Sequence, residues 1–351
     1  MKVLFLAPSL PTPVDRLADG LRRGGHDVTI GLTEQRPSGA AAVGGVTATA
    51  VEEVLPGGYD LAVATTWDAT IRLFEADARR YASWVDAFGF ERLGTWQAER
   101  IGAVLAYDLP VAFIATSPYV KARLEERRPD ARVVLARAGL DHEHCEMADR
   151  AGGEGPLRVL LGGGEDDVAA LEQATAPVAR AEGLADADVL VHLDAVDGLP
   201  RTLEAARAGV VPVVLPGPQE DVVEHLRSGI VATPEDRRGA GRWLDRLAGD
   251  RELLGHLASA ARERATSWPG FDEATDELEG ALATILDADP PPATSWPTRL
   301  MADAMAGIAT YRNDYFYVVG ELEHLKKDPA VQRALELRDR SNRVKSRLRR
   351  G

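Results

Sequence analysis

The chain keeps returning to short apolar runs that are too brief for helices and too uniformly apolar for strands with one wet face. Met1–Ala7 (MKVLFLA), Asp27–Leu32, Tyr59–Ala64 (YDLAVA), Val111–Ala115 (VAFIA) and Val133–Ala136 are such runs in the first half. Strands covered on both faces read this way, and a parallel sheet is where they occur. Helical stretches lie between them: Val14–Gly24, ended by the pair Gly24-Gly25 in the usual place for a helix stop, and Pro118–Arg128. Strands alternating with helices predict an open, doubly wound α/β domain.

The pattern then restarts. Glu146–Gly155 is polar and glycine-rich, and it predicts a boundary. Beyond it Leu157–Leu161, Ala187–Leu193, Val210–Leu215 and Ile230–Ala232 predict strands. Asp166–Glu182, Thr202–Ala208 and Val222–Leu226 predict helices, followed by surface helices over Arg237–Leu247, Arg251–Thr266 and Phe271–Leu286. A chain of 351 residues suits two domains. The expected units are 1–150, a shorter 151–286, and a proline-rich linker with a helical basic tail over 287–351.

The net charge is −14, yet Arg333–Arg350 holds eight Lys/Arg against Glu336 and Asp339. An acidic body argues against nucleic acid as a partner. The tail is a candidate for contact with an anionic membrane surface or with the protein's own acidic body, or else a solvated helix. Cys145 is the only cysteine, which excludes an intramolecular disulfide and fits a reducing compartment. The opening apolar run stops at Pro8 and no later run is long enough to span a bilayer. The expectation is a cytoplasmic protein, with the tail as its one candidate for peripheral contact at the inner face of the membrane.

The stretch ADVLVHLDAVDGLPRTLEAARAGVVPVVLPGPQEDVVEHLRSGIVA (Ala187–Ala232) resembles the donor-nucleotide half of glycosyltransferase family 4. Those are retaining enzymes of the GT-B fold, two Rossmann-like domains facing a cleft. The matching features are an Ala-Asp before a strand, an acidic loop with Gly-Leu-Pro, a Glu-Ala in a helix, and Ala-Gly-x-x-Pro-Val-Val. LRRGGHDVTI (Leu21–Ile30) and the segment Phe113–Cys145, with Gly139-Leu140-Asp141, are similar to parts of the family's first domain. ATTWDA (Ala64–Ala69) and RRYASWVDAFGFE (Arg79–Glu91) are similar to a rhamnosyltransferase-like branch. The resemblance covers most of residues 1–286 and implies GT-B with a helical C-terminal extension.

It implies an activity as well: transfer of a hexosyl or rhamnosyl group from a UDP-, GDP- or dTDP-sugar to a glycan or small-molecule acceptor, in polysaccharide biosynthesis. No permanent cofactor and no metal are expected. A ribose diol needs a bidentate acceptor, which a carboxylate provides. The resemblance gives that role to Glu204, otherwise an acid in the first turn of a helix, favoured by the macrodipole. The family's second acid falls on Val196, and one deleted loop residue would let Asp197 touch the donor sugar; Asp197 is otherwise a turn residue in Asp-Gly. Asp194 lies farther off and is a further donor-binding candidate. Gly198, Leu199, Pro200 and Arg201 would lie against the phosphates, with Arg201 adding charge.

At Leu160–Asp167 (LLGGGEDD) the family carries an Arg and then a Lys, and this chain has neither. Gly163 and Gly164 could offer backbone N–H groups to phosphate, opposed by Glu165, Asp166 and Asp167, or they form a plain strand-to-helix turn. Asp86, with Trp84 and Glu91, is a candidate for the acceptor side, while Trp84 also suits a core; Asp197, Glu204 and Asp86 are the candidate catalytic residues. His142, His144 and Cys145 have metal-binding atoms, but their spacing is not that of a zinc site. The departures keep a second class in view: a catalytically inactive GT-B-like binding or scaffold subunit that partners another glycosyltransferase.

Overall fold

The computed structural model describes residues 1–9, 14–34, 41–43, 45–91, 98–143, 155–162, 165–193, 198–233 and 239–289. The basic tail, His144, Cys145 and the loops 163–164 and 194–197 lie outside them. The first unit contains β1 (Lys2–Ala7), α1 (Asp15–Arg23), β2 (Asp27–Leu32), β3 (Ala41–Val43), β4 (Val46–Ala50) and α2 (Val51–Val54). It continues with β5 (Tyr59–Ala64), α3 (Trp67–Arg72), β6 (Ala78–Val85), α4 (Ala98–Ala106), β7 (Ala112–Ala115), α5 (Pro118–Arg127) and β8 (Val133–Leu135). The second contains β9 (Leu157–Leu161), α6 (Glu165–Gln173), β10 (Val178–Arg180), β11 (Val189–His192), α7 (Gly198–Ala208), β12 (Val211–Val214) and β13 (Ile230–Val231). Three helices close the described chain: α8 (Gly239–Gly249), α9 (Arg251–Thr266) and α10 (Phe271–Asp287).

The first sheet runs β3-β4-β2-β1-β5-β6-β7-β8, parallel throughout except for the antiparallel β3–β4 pair. Successive side chains of a strand point to opposite faces, so β1 feeds two cores. Val3 and Phe5 pack under α1 and α10. Leu4 and Leu6 pack against Val51, Ile71, Val120 and Leu124 on the other face. The second sheet runs β10-β9-β11-β12-β13, all parallel. Val189 and Val191 meet α8 and α9 on one face. Leu190 meets Ala205 and Ala208 of α7 on the other. Gly209, at φ +83°, turns the chain out of α7 into β12, a conformation that costs glycine little.

The structure departs from the sequence expectation at several elements. The expected helix Asp166–Glu182 ends at Gln173, and Val178–Arg180 is an edge strand instead. Asp245 stops the helix by accepting from the Thr175 and Ala176 N–H groups (2.6 and 2.8 Å). The expected helix Val222–Leu226 is a single 3-10 turn at Pro218–Asp221 followed by turns. Ser228 Oγ takes the Glu224 N–H and donates to the Val222 carbonyl (both 2.9 Å), and Leu226 sits at φ +62°. Helix α7 starts at Gly198, four residues early, which moves Glu204 out of the first turn. Finally, α10 is not a surface helix of the second unit. Its Ala274, Leu278, Ala281, Leu282 and Ile285 are buried in the first unit's core beside α1.

Candidate functional site

In open α/β sheets ligands bind beyond the carboxyl ends of the strands, where the strand order reverses. In the second sheet that point lies between β9 and β11. Asp167, 2% exposed, accepts the Leu193 N–H there (2.7 Å), and His192 packs directly on Gly162. The adjoining loops carry Gly163, Gly164, Asp194 and Asp197, all outside the described residues.

Beside this point a cleft of about 590 Å³ lies between the two units. Helix α7 supplies Pro200, Arg201, Leu203 and Glu204 to it; Gly183 and Leu184 follow β10; Arg16 comes from α1, and Gly139, Leu140 and Asp141 follow β8. Phe271, the first residue of α10, completes the wall. Glu204 is half-exposed, and its carboxylate stands 3.5 Å from the Arg201 guanidinium. The cleft therefore combines an apolar wall (Leu140, Leu184, Leu203, Phe271) with two arginines and two carboxylates, the mixture that small polar ligands with flat rings require.

Sequence reasoning placed Glu204, Arg201 and Pro200 in one site, and all three line the cleft. Leu199 does not. It is 4% exposed and packs with Leu140, Leu203, Val222 and Trp268, because a helix beginning at Gly198 turns that position into the protein. Gly198 is buried as well, against the side chain of Gln219. Gln219 is itself fully buried; its Nε2 donates to the Leu215 carbonyl (2.5 Å), and its Oε1 has no partner. Asp86 follows β6 and is half-buried, but it does not line this cleft. Trp84 is 3% exposed in the first unit's core. Arg16, Gly183, Leu184 and Phe271 were not singled out from sequence. Arg16 had no signal, since it is an ordinary first-turn residue of a surface helix.

The two chain crossings between the units form the floor of the cleft. The Leu140 N–H donates to the Pro269 carbonyl (3.0 Å), and Leu140 pairs with Gly270. The indole N–H of Trp268 donates to the Ala138 carbonyl (2.7 Å). Gly139 approaches Phe271 so closely that a Cβ would sit 2.6 Å from Cδ1. His142 Nε2 bonds the Trp268 carbonyl (2.9 Å), and its Nδ1 lies 3.4 Å from Arg207 Nε. The imidazole thus lies between a carbonyl and a guanidinium. Arg137 and Glu277 tie β8's exit to α10 through several hydrogen bonds. Burial alone would raise the Glu277 carboxyl, but the hydrogen bonds and charge of Arg137 outweigh it and hold the group below the usual carboxylate range.

A further contact joins the units on the far side of α7. Ser117 caps α5 by accepting the Val120 N–H (3.2 Å), and Asp221 of the second unit accepts the Tyr119 N–H at the same helix end (3.0 Å). Burial pushes the Asp221 carboxyl upward, against the stabilising hydrogen bonds of Tyr119 and Ser117 and the charge of Arg264. Among the described residues no group of three His, Cys, Asp or Glu is arranged to hold a metal ion, and no helix is long and apolar enough to cross a membrane.

No protein-family model and no curated protein sequence matches the chain. Its fold, by contrast, is shared with solved structures. It is similar to Anabaena Alr3699/HepE in complex with UDP-glucose (TM-score 0.63, 16% identity, covering 81% of this chain and 100% of that one). It is similar to the sucrose-phosphate synthase from Thermosynechococcus elongatus (TM-score 0.65, 14% identity, 82% and 100%). It is also similar to a glycosyltransferase from Rickettsia africae ESF-5 (TM-score 0.58, 10% identity, 82% and 99%). The fold is GT-B, with two Rossmann-like units facing a cleft.

Proposed function

We propose that the chain is a glycosyltransferase that moves a sugar from a nucleotide donor to a glycan or small-molecule acceptor. The observation that carries this reading is Glu204: within a GT-B fold, the carboxylate singled out by the donor-half motif stands on α7 facing the cleft between the units. A half-exposed carboxylate there suits a ribose diol, which presents two donors to two acceptor oxygens. Leu184 and Phe271 give the cleft an apolar wall that suits a base. Similarity to HepE in its complex with UDP-glucose supports a UDP-sugar donor, with GDP- and dTDP-sugars as the other members of a test panel.

In this reading the reaction is retaining and proceeds without a metal. The acceptor oxygen attacks the anomeric carbon on the face the donor phosphate leaves. A donor phosphate oxygen takes the acceptor's proton, the bond from the anomeric carbon to the phosphate oxygen breaks, and a nucleoside diphosphate departs. Catalysis then rests on positioning and on stabilising the departing charge. Asp197 would face the donor sugar with Asp194 as a further donor contact, and the backbone N–H groups of Gly163 and Gly164 would border the phosphates. Asp86, at the end of β6, is the proposed residue of the acceptor side. Transfer measured across the three donors tests the reading, with Glu204→Gln as control. Turnover with one donor, reduced at least tenfold in the variant, supports it; absence of turnover with all three, or an unaffected variant, overturns it.

One feature favours a second reading. Leu160–Asp167 contains three acids and no Lys or Arg, which is unsuited to a diphosphate. A non-catalytic subunit of the same fold would bind no nucleotide and would hold another glycosyltransferase chain stably, and calorimetry separates the two cases.

A further inference from the structure

If the donor lies where Glu204 reaches its ribose, its diphosphate needs positive charge that Leu160–Asp167 does not provide. Among the described residues the cations lining the cleft are Arg16 and Arg201. Arg201 is turned toward Glu204 on its own helix. Arg16 comes from the opposite unit and is held in two ways. Its guanidinium lies over the Phe271 ring, 4.6 Å from the centroid, and its Nη1 is ion-paired with Asp141.

We propose that Arg16 is the residue that binds the donor's diphosphate, in place of the cations missing from the β9–α6 turn. Two features of the structure make it suited to that role. First, the guanidinium rests over the ring of Phe271, and Phe271 is packed against Gly139 at the paired crossings. An arginine resting on an aromatic ring loses less freedom when it binds a phosphate than one extended into solvent, and its five N–H donors exceed what one carboxylate uses. Second, Asp141 balances the charge while the cleft holds no anion. The pair can open toward a diphosphate carrying more charge than a carboxylate, because both side chains are partly exposed (58% and 25%).

This assignment rests on the nucleotide-sugar reading, and the experiment separates the two. UDP and uridine share base and ribose and differ in the diphosphate. Calorimetric titration of both into wild type, Arg16→Gln and Arg201→Gln at one fixed ionic strength therefore isolates the charged contact. Arg16→Gln should weaken UDP about tenfold or more while uridine is unchanged, the loss expected for one charge-assisted contact. Arg201→Gln should weaken UDP less. Thermal melts check that each variant is folded, as an exposed surface position should allow. UDP bound equally well by wild type and Arg16→Gln overturns the role of Arg16 and leaves the donor site standing. Failure of UDP, GDP and dTDP alike to bind wild type overturns the donor reading and this assignment with it.

Discussion

The return of α10 to the first unit makes a sharp prediction through Leu278. Its side chain is fully buried between α1 and the first sheet, although it follows the entire second unit in sequence. Leu278→Ala removes buried methyl groups from a close-packed site and should cost about 3 kcal/mol, within the usual range for such truncations. Leu244→Ala is the matched control, since Leu244 is equally buried in α8 against the second sheet. Native-state hydrogen exchange reads out which unit loosens. An opening free energy lowered by about 3 kcal/mol speeds exchange roughly a hundredfold in the affected unit. Leu278→Ala should accelerate the amides of β1, β2 and β5 and spare those of β9 and β11; Leu244→Ala should do the reverse. Leu278→Ala leaving the β1 and β2 amides as protected as in wild type would refute the placement of α10.

Two pH predictions follow from the joints between elements. Glu277 is held below its ordinary range, so its stabilising contribution is present above the unfolded value of about 4.3 and lost as pH falls through the lower folded value. Urea unfolding should therefore show wild type losing its advantage over Glu277→Gln only below about pH 4. Asp221 is shifted the other way, so its contribution is full below the unfolded value of about 3.9 and lost as pH rises through the folded one. Asp221→Asn keeps an oxygen for the Tyr119 N–H without a charge to desolvate. Relative to wild type its stability should rise from about pH 4 upward, and a flat difference between pH 4 and 7 would contradict that reasoning.

How much of this was legible in the sequence depended on how each segment meets its neighbours. β1, β2, β5 and β9 were readable because strands buried on both faces leave an unbroken apolar signal. β6 was not read as a strand, since it opens with Arg79 and Arg80, whose charges mask a half that ends in buried Ala82, Trp84 and Val85. β3 and β4 are short and rich in alanine and threonine, a pattern that favours no element strongly. The end of α6 was missed because the residue that stops it, Asp245, lies some seventy positions downstream. Glu204 was legible through its flanking motif. Arg16 was not, because its place in the cleft comes from Phe271 and Asp141, both remote in sequence. Leu199 shows the converse: a motif position whose side chain is spent on the core, set by the turn at which α7 begins.

The most direct test of the account is a crystal structure of the chain with UDP bound. The nucleoside is expected between α7 and Leu184, with the Glu204 carboxylate in hydrogen-bond range of both ribose hydroxyls and the diphosphate directed toward Arg16. UDP bound elsewhere on the molecule, or in the cleft with its ribose turned away from Glu204, would contradict it.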